Sequence, residues 1–150
     1  PALAPDVALI HGLCADRRGN VHLRRPLVLD ERFAHAAKRV IVTVEELVDA
    51  DVVTAAGVVL PSFLVDAVVE VPFGAHPTSC YPHYAYDRAH LREWVQAAAS
   101  DDGVAAYLER YVTGPAGGEP GYVEAVGEQR LAGLGEWQDS TERWMEIASA

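Results

Sequence analysis

Sulfur is scarce in this chain of 150 residues: two cysteines, Cys14 and Cys80, and one methionine. Two cysteines make no disulfide framework, and a reducing cytoplasm is the compartment expected. Long apolar runs are also missing. No stretch approaches the roughly 20 residues of a membrane span, and no basic leader precedes an apolar core, so neither span nor signal peptide is read. The chain begins at Pro1 rather than Met, as an excised segment would. Positive charge is short as well. Lys and Arg number 12 against 22 Asp and Glu, for a net charge of −10 and a pI near 4.9. A nucleic-acid backbone demands a basic face, and so does an anionic membrane surface; neither is an expected partner. There is no Walker loop, dinucleotide fingerprint or Gly-x-Ser-x-Gly elbow, which leaves phosphate-loop, NAD and serine-hydrolase chemistry without support.

What is present is apolar and β-branched. The stretch Arg39–Pro77 holds three short runs, Val40–Val44, Val58–Leu60 and Ala67–Val71. Continuous runs of this kind predict strands buried on both faces of a sheet. Glu45–Asp49 reads as a short helix start, with acidic residues in its first turn. Upstream, Val7–Cys14 reads as a buried strand, Ala15–Asn20 as a turn, and Val21–Leu23 as a half-exposed strand ended by Pro26. Asp30 is placed to cap a helix through Ala37 with Phe33, Ala36 and Ala37 on its apolar face. Asp87 and Ser100 are placed to cap two later helices. Leu91, Trp94, Val95 and Ala98 share one face of the first, and Val104, Tyr107, Leu108, Tyr111 and Val112 one face of the second. Pro115–Pro120 is a Gly/Pro linker. Beyond it the chain is weakly helical, with Trp137, Thr141, Trp144, Met145 and Ala148 on one face. The expectation is a single α/β domain over residues 1–150, a mostly parallel sheet flanked by helices, with 115–150 as a helical tail.

Candidate chemistry concentrates after the third run. His76 lies in a Gly-Ala-His-Pro turn directly after a strand, the place where α/β proteins put their sites. Held between Ala75 and Pro77, it can donate to an acyl or carboxylate oxygen. Tyr81, Tyr84 and Tyr86 form an aromatic loop fit either to line an acyl pocket or to cover a sheet edge. His76, Cys80 and His83, with His11, Cys14 or Asp87 as a fourth, have zinc-type donors, but one short cluster without a second does not make a zinc motif; no metal is expected. Cys80 with His83 has the residue types of a nucleophile–base pair and no sign of activation. Glu45 and Glu46 are adjacent carboxylates, which on a helix point about 100° apart and share no site. They are read as structural.

The strings VIVTVEELVD and LPSFLVDAVVEVPFGAHP, preceded by PDVALIHGLCADRRGNV, resemble the α subunit of class I CoA-transferases. The glutaconate CoA-transferase type is similar, and so is the related steroid-ring hydrolase branch. The likeness runs from about Pro5 to Val112, over several linked motifs in order. It implies that this chain is the C-terminal portion of a longer α subunit, of about twice its length. It also implies a partner β subunit, with coenzyme A as substrate rather than bound cofactor, passed from an acyl-CoA to a carboxylate. The glutamate nucleophile of the heteromeric members belongs to the β subunit, and nothing here matches its motif. The glycine-rich oxyanion segment of the family's N-terminal half is likewise missing, so the chain alone is expected to be inactive. On this resemblance His76 is the candidate catalytic residue and Tyr81 and Tyr84 the candidate substrate-binding ones. The phosphates of coenzyme A call for a basic patch. Arg17, Arg18, Arg24 and Arg25 make the one cluster, which reads equally as a solvated hairpin tip. Hydrolysis of a CoA thioester is the alternative within the family, and a non-catalytic interaction module the alternative outside it.

Overall fold

The computed structural model describes residues 4–24, 27–114 and 121–136. Where the sequence predicts one domain, the chain's contacts gather into two compact units, Pro1–Gly74 and Ala75–Ala150.

The first unit is a four-stranded sheet in the order β2-β1-β3-β4. β1 (Val7–Ala15) and β3 (Arg39–Leu47) are its long strands and pair in parallel from Val7↔Arg39 to Ala15↔Leu47. β4 (Ala67–Glu70) adds to β3 in parallel, and β2 (Val21–His22) returns antiparallel on β1. The sheet is therefore mixed and mostly parallel, flanked by the helices α1 (Asp30–Ala36) and α2 (Ala50–Ala56).

Burial on the long strands alternates instead of being continuous. Ala8, Ile10, Val40, Val42 and Val44 point into a core completed by Val21, Leu23, Ala34 and Leu60. On the opposite face Leu9 is 77% exposed. The expectation of burial on both faces fails here: the strands are Val- and Ile-rich on both sides, but the described core lies on one side only. Two further expectations are corrected. Val58–Leu60 is not a strand; Leu60 makes one isolated bridge with Val21, and that pairing delivers its side chain to the core. Glu45 and Glu46 are not in a helix. They extend β3, because pairing with β1 continues to Leu47, and α2 starts only at Ala50. In α1 the buried residue is Ala34, while Phe33 faces out and Asp30 sits inside the first turn rather than at the cap.

The second unit is helical. α3 (Arg88–Ala97) is capped by Asp87, which accepts from the His90 backbone N–H, and α4 (Asp101–Leu108) by Ser100, which accepts from Gly103 N–H. Both caps follow the expectation from sequence. α4 runs into a π-helical turn over Glu109–Thr113, and α5 (Gly121–Val126) and α6 (Glu128–Leu134) follow. The apolar stripe expected on α3 is not its buried face: His90 is, at 0% exposure, while Val95 is 70% exposed. Pro115–Pro120 and the stripe from Trp137 to Ala148 lie outside the described residues.

Leu60 is the largest aliphatic side chain fully enclosed in the first unit. Leu60→Ala leaves a cavity under β1 and β3, and is expected to cost about 2–5 kcal/mol. Urea unfolding followed by far-ultraviolet circular dichroism measures it; an unchanged midpoint would mean that the segment does not close the core.

Candidate functional site

His76 lies near the start of the second unit, and the residues it meets come from two elements, α3 with its cap and α5. Its Nε2 lies 3.2 Å from Asp87 Oδ2 and its Nδ1 2.7 Å from the Tyr122 hydroxyl. Asp87 is held from its other sides by Arg130, with Nε 2.6 Å from Oδ2 and Nη2 2.9 Å from Oδ1, and by the His90 backbone N–H at 2.9 Å. An ionised carboxylate only accepts, so the His76 proton sits on Nε2 and donates to Asp87. Nδ1 then accepts from the Tyr122 hydroxyl. His90 stands edge-on to His76, ring centroids 4.9 Å apart, with its Nε2 2.6 Å from the Tyr107 hydroxyl. Its Nδ1 is buried and has no hydrogen-bond partner among the described residues. The Tyr111 hydroxyl donates to Glu93 at 2.8 Å.

The charges in this cluster are set by burial and by one guanidinium. Burial pushes the Asp87 carboxyl up. The hydrogen bonds from Arg130, His90 and His76 outweigh it and hold the group well below the ordinary carboxylate range. Burial lowers His76, only partly offset by Asp87, and it lowers His90, with His76 adding to the effect. Both imidazoles are thus neutral near pH 7. Burial, with the neighbouring Tyr107 and Tyr111, pushes Tyr122 up to about 12. Burial and the bond to Glu93 do the same to Tyr111.

His76, Asp87 and His90 bring donor atoms within 4.8 Å of one another, a spacing a metal ion could use. The cluster differs from the His76, Cys80 and His83 set drawn from sequence. A cation there would share the carboxylate with the Arg130 guanidinium and would have to displace the bonds that His76 and Asp87 already make. The donor set fits a hydrogen-bond network better than a metal centre.

His76, the candidate catalytic residue, has no exposed side-chain surface, and both ring nitrogens are engaged. Tyr84 is 1% exposed, and its hydroxyl oxygen accepts from Ala75 N–H at 2.9 Å. Tyr81 is half-buried, and Tyr86 is exposed. Sequence reasoning missed Tyr122, Arg130 and His90. Arg130 lies 43 residues from Asp87, and no local spacing announces a pair that distant. The signal available for Asp87 was its capping position, which explains one of its bonds and not the others.

The first unit has its own buried carboxylate. Along β1 and β3 the register sets His11 opposite Thr43, on the same face as Glu45. His11 Nε2 is 2.6 Å from Glu45 Oε1, and His11 Nδ1 is 2.8 Å from Thr43 Oγ1. Glu45 Oε2 accepts from Phe73 N–H at 2.7 Å. Phe73 has φ of 59°, a left-handed conformation unusual for a bulky residue. Gly74 follows, where an added Cβ would stand 2.6 Å from His11 Cε1. Glu45 and Glu46 share no site, as expected, but the cause is strand alternation. At the carboxyl end of β1, Asp16 closes the turn. Its Oδ1 accepts from the Arg18 and Asn20 backbone N–H at 2.8 and 3.0 Å, and its Oδ2 from Asn20 Nδ2 at 2.7 Å.

Two outcomes follow from these geometries. The folded pKa values of His76 and His90 lie below the ordinary 6.5, so their contribution is complete above pH 6.5 and is lost as pH falls through the folded values. Asp87 adds a second loss at lower pH, below the ordinary carboxylate value of about 3.9. The thermal midpoint is therefore expected to fall between pH 7.5 and 5 by several degrees. The fall is smaller in His90→Phe, which has one fewer ring to protonate; calorimetry across this range decides, and parallel profiles would contradict the assignment. Gly74→Ala is expected to cost about 1–3 kcal/mol by forcing the His11 ring aside. Denaturant unfolding of the variant checks this, and wild-type stability would refute the close approach.

Comparison with known proteins identifies the family. Residues 1–71 match the family Coenzyme A transferase. The A subunit of 3-oxoadipate CoA-transferase from Pseudomonas knackmussii is 39% identical over 114 residues, covering 76% of this chain and 40% of that protein. The cholesterol ring-cleaving hydrolase IpdA subunit of Mycobacterium tuberculosis is 30% identical over 119 residues, covering 76% and 41%. The crystal structure of glutaconate coenzyme A-transferase from Acidaminococcus fermentans superposes with a TM-score of 0.78 at 30% identity, over 86% of this chain and 41% of that one. This chain thus spans about two fifths of the length of these relatives. In sequence and in fold, it is a relative of the A subunits of the CoA-transferase family.

Proposed function

We propose that this chain is the C-terminal portion of the α subunit of an acyl-CoA:carboxylate CoA-transferase that works with a β subunit. The observation that carries the proposal is the 39% identity, across three quarters of the chain, to the A subunit of a CoA-transferase. The side chains are consistent with a nucleophile supplied by the partner. Glu45 is the one buried glutamate among the described residues. Its Oε1 is bonded to His11 and its Oε2 to Phe73 N–H, so both oxygens already hold a structural partner.

In the reaction the resemblance implies, a glutamate carboxylate of the partner attacks the acyl-CoA carbonyl and expels the CoA thiolate, leaving an acyl–glutamyl anhydride. The thiolate attacks the glutamyl carbonyl, releases the donor's carboxylate and forms a glutamyl thioester. The acceptor carboxylate then runs the same steps in reverse and departs as the new acyl-CoA. In this proposal His76 acts as a positioning residue. With Asp87 and Tyr122 it fixes the start of the loop that carries Tyr81, the tyrosine assigned to the acyl group, while Tyr84 supports that loop from below. The likeness to the subunit of a cholesterol ring-cleaving hydrolase lends looser support to a second reading, hydrolysis, with water in place of the acceptor.

The test is turnover. The purified chain alone is expected to transfer no CoA, whereas the parent α subunit with its β partner converts an acyl-CoA and a free carboxylate to the exchanged pair, followed by liquid chromatography. Turnover by the chain alone would refute the divided site. Free CoA released without an acceptor would select the hydrolase reading.

A further inference from the structure

The turn at the carboxyl end of β1 presents two cations that the acyl-transfer chemistry does not use. Arg17 and Arg18 are adjacent and exposed in a chain of net charge −10, and neither has a carboxylate within salt-bridge distance among the described residues. Both line two cavities, one reaching from the ends of β1 and β3 to the amino-terminal start of β4, the other at the carboxyl ends of β1 and β3. One, of about 290 Å³, is bounded also by Gly19, Leu47 and Val65–Val68; the other, of about 470 Å³, by Leu47–Ala50 and Val52. The outer ends of parallel strands are where open α/β sheets take ligands.

The turn is also built to stay in place. Asp16 N–H donates to Asn20 O and Gly19 N–H to Asp16 O, both at 3.0 Å, and Asn20 Oδ1 accepts from Ser62 N–H at 3.0 Å. Gly19 takes a φ of 95°, which a side chain would resist. Of the acidic groups lining these cavities, Asp16 is turned inward by its bonds to Arg18 and Asn20, and Asp66 Oδ2 accepts from Val40 N–H at 2.7 Å. Asp66 and Asp49 are both exposed, one beside each cavity. Two guanidiniums on a rigid turn, with two of the three neighbouring carboxylates engaged by backbone, suit a ligand with more than one phosphate.

We propose that the Asp16–Asn20 turn is an anion site in which Arg17 and Arg18 hold the phosphate groups of the coenzyme A substrate. The proposal rests on the CoA-transferase reading and adds a location that it does not supply. Arg17→Gln with Arg18→Gln is the variant of choice. The bond from residue 18 to Asp16 uses the backbone N–H, so the turn survives the change, and circular dichroism verifies it.

Isothermal titration of the purified chain is expected to show CoA binding that weakens as salt is raised. Binding falls at least about tenfold in the double variant, the worth of one charge-assisted hydrogen bond. Inorganic pyrophosphate competes with CoA, and pantetheine, which lacks phosphate, binds wild type and variant alike. Equal CoA affinity in wild type and variant overturns the proposal, as does pyrophosphate binding without CoA binding, which would mark a site for free phosphate. In the two-subunit enzyme the variant lowers kcat/KM for the acyl-CoA more than for the matching acyl-pantetheine; equal losses overturn it too. Should CoA bind through the arginines while the assembled enzyme exchanges no acyl-CoA, the site stands and the transferase reading falls.

Discussion

The parallel pairing of β1 with β3 is the constraint from which the first unit follows. It runs from Val7↔Arg39 to Ala15↔Leu47, and a slip of one residue would exchange its two faces. In the observed register Ala8, Ile10, Val40, Val42 and Val44 enter the core, and His11 meets Thr43 and Glu45 on the other face. The same register draws Ala15 and Leu47 level, so that the Asp16 turn and the start of α2 bound the same edge. Core, buried dyad and carboxyl-edge cavity are three results of one alignment.

The second unit depends on a charge instead of a register. Asp87 caps α3, pairs with Arg130 of α6 and orients His76, and so serves three elements with two oxygens. An isolated buried carboxylate is costly, and a partner that leaves strands it. That cost is what makes the positions of α3, α6 and the His76 turn interdependent. The aromatic rings around it, His90 against Tyr111 and Tyr107 against Trp94, lie tilted or edge-on at 4.7 and 4.9 Å and close off water.

Much of this was legible in the residues. β-branched runs marked β1, β3 and β4, and Gly19-Asn20 marked the turn. Asp87 and Ser100 marked helix starts, because each signal is local and has a local cause. The failures also have causes. A run such as Val58–Leu60 looks like a strand whether or not a neighbour is there to pair with it. The Val/Ile content of β1 promises two buried faces, and alternation becomes visible only once the core is seen on one side. Glu45 and Glu46 resemble a helix start because acidic residues favour first turns; the ladder with β1 overrides that preference. His90 escapes notice because a histidine amid Leu91, Trp94 and Val95 interrupts an apolar stripe, and the folded helix turns that interruption inward.

The two buried carboxylates invite a comparison that bears on mechanism. Asp87 has a permanent cation against it, which helps hold its carboxyl well below the ordinary carboxylate range. Glu45 faces an imidazole and a backbone N–H. Asp87 is saturated by Arg130, His90 and His76, whereas Glu45 accepts a bond on each oxygen, from His11 and from Phe73. The most hydrogen-bonded acids here are the least able to act as nucleophiles, since attack on a carbonyl requires a lone pair that is not already engaged. His76 likewise has a partner on each ring nitrogen, Asp87 on Nε2 and Tyr122 on Nδ1. Among the described residues, the buried carboxylates Asp87 and Glu45 tie the backbone together. What they leave at the surface, in the Asp16–Asn20 turn, is equipped for binding an anion rather than for breaking a bond.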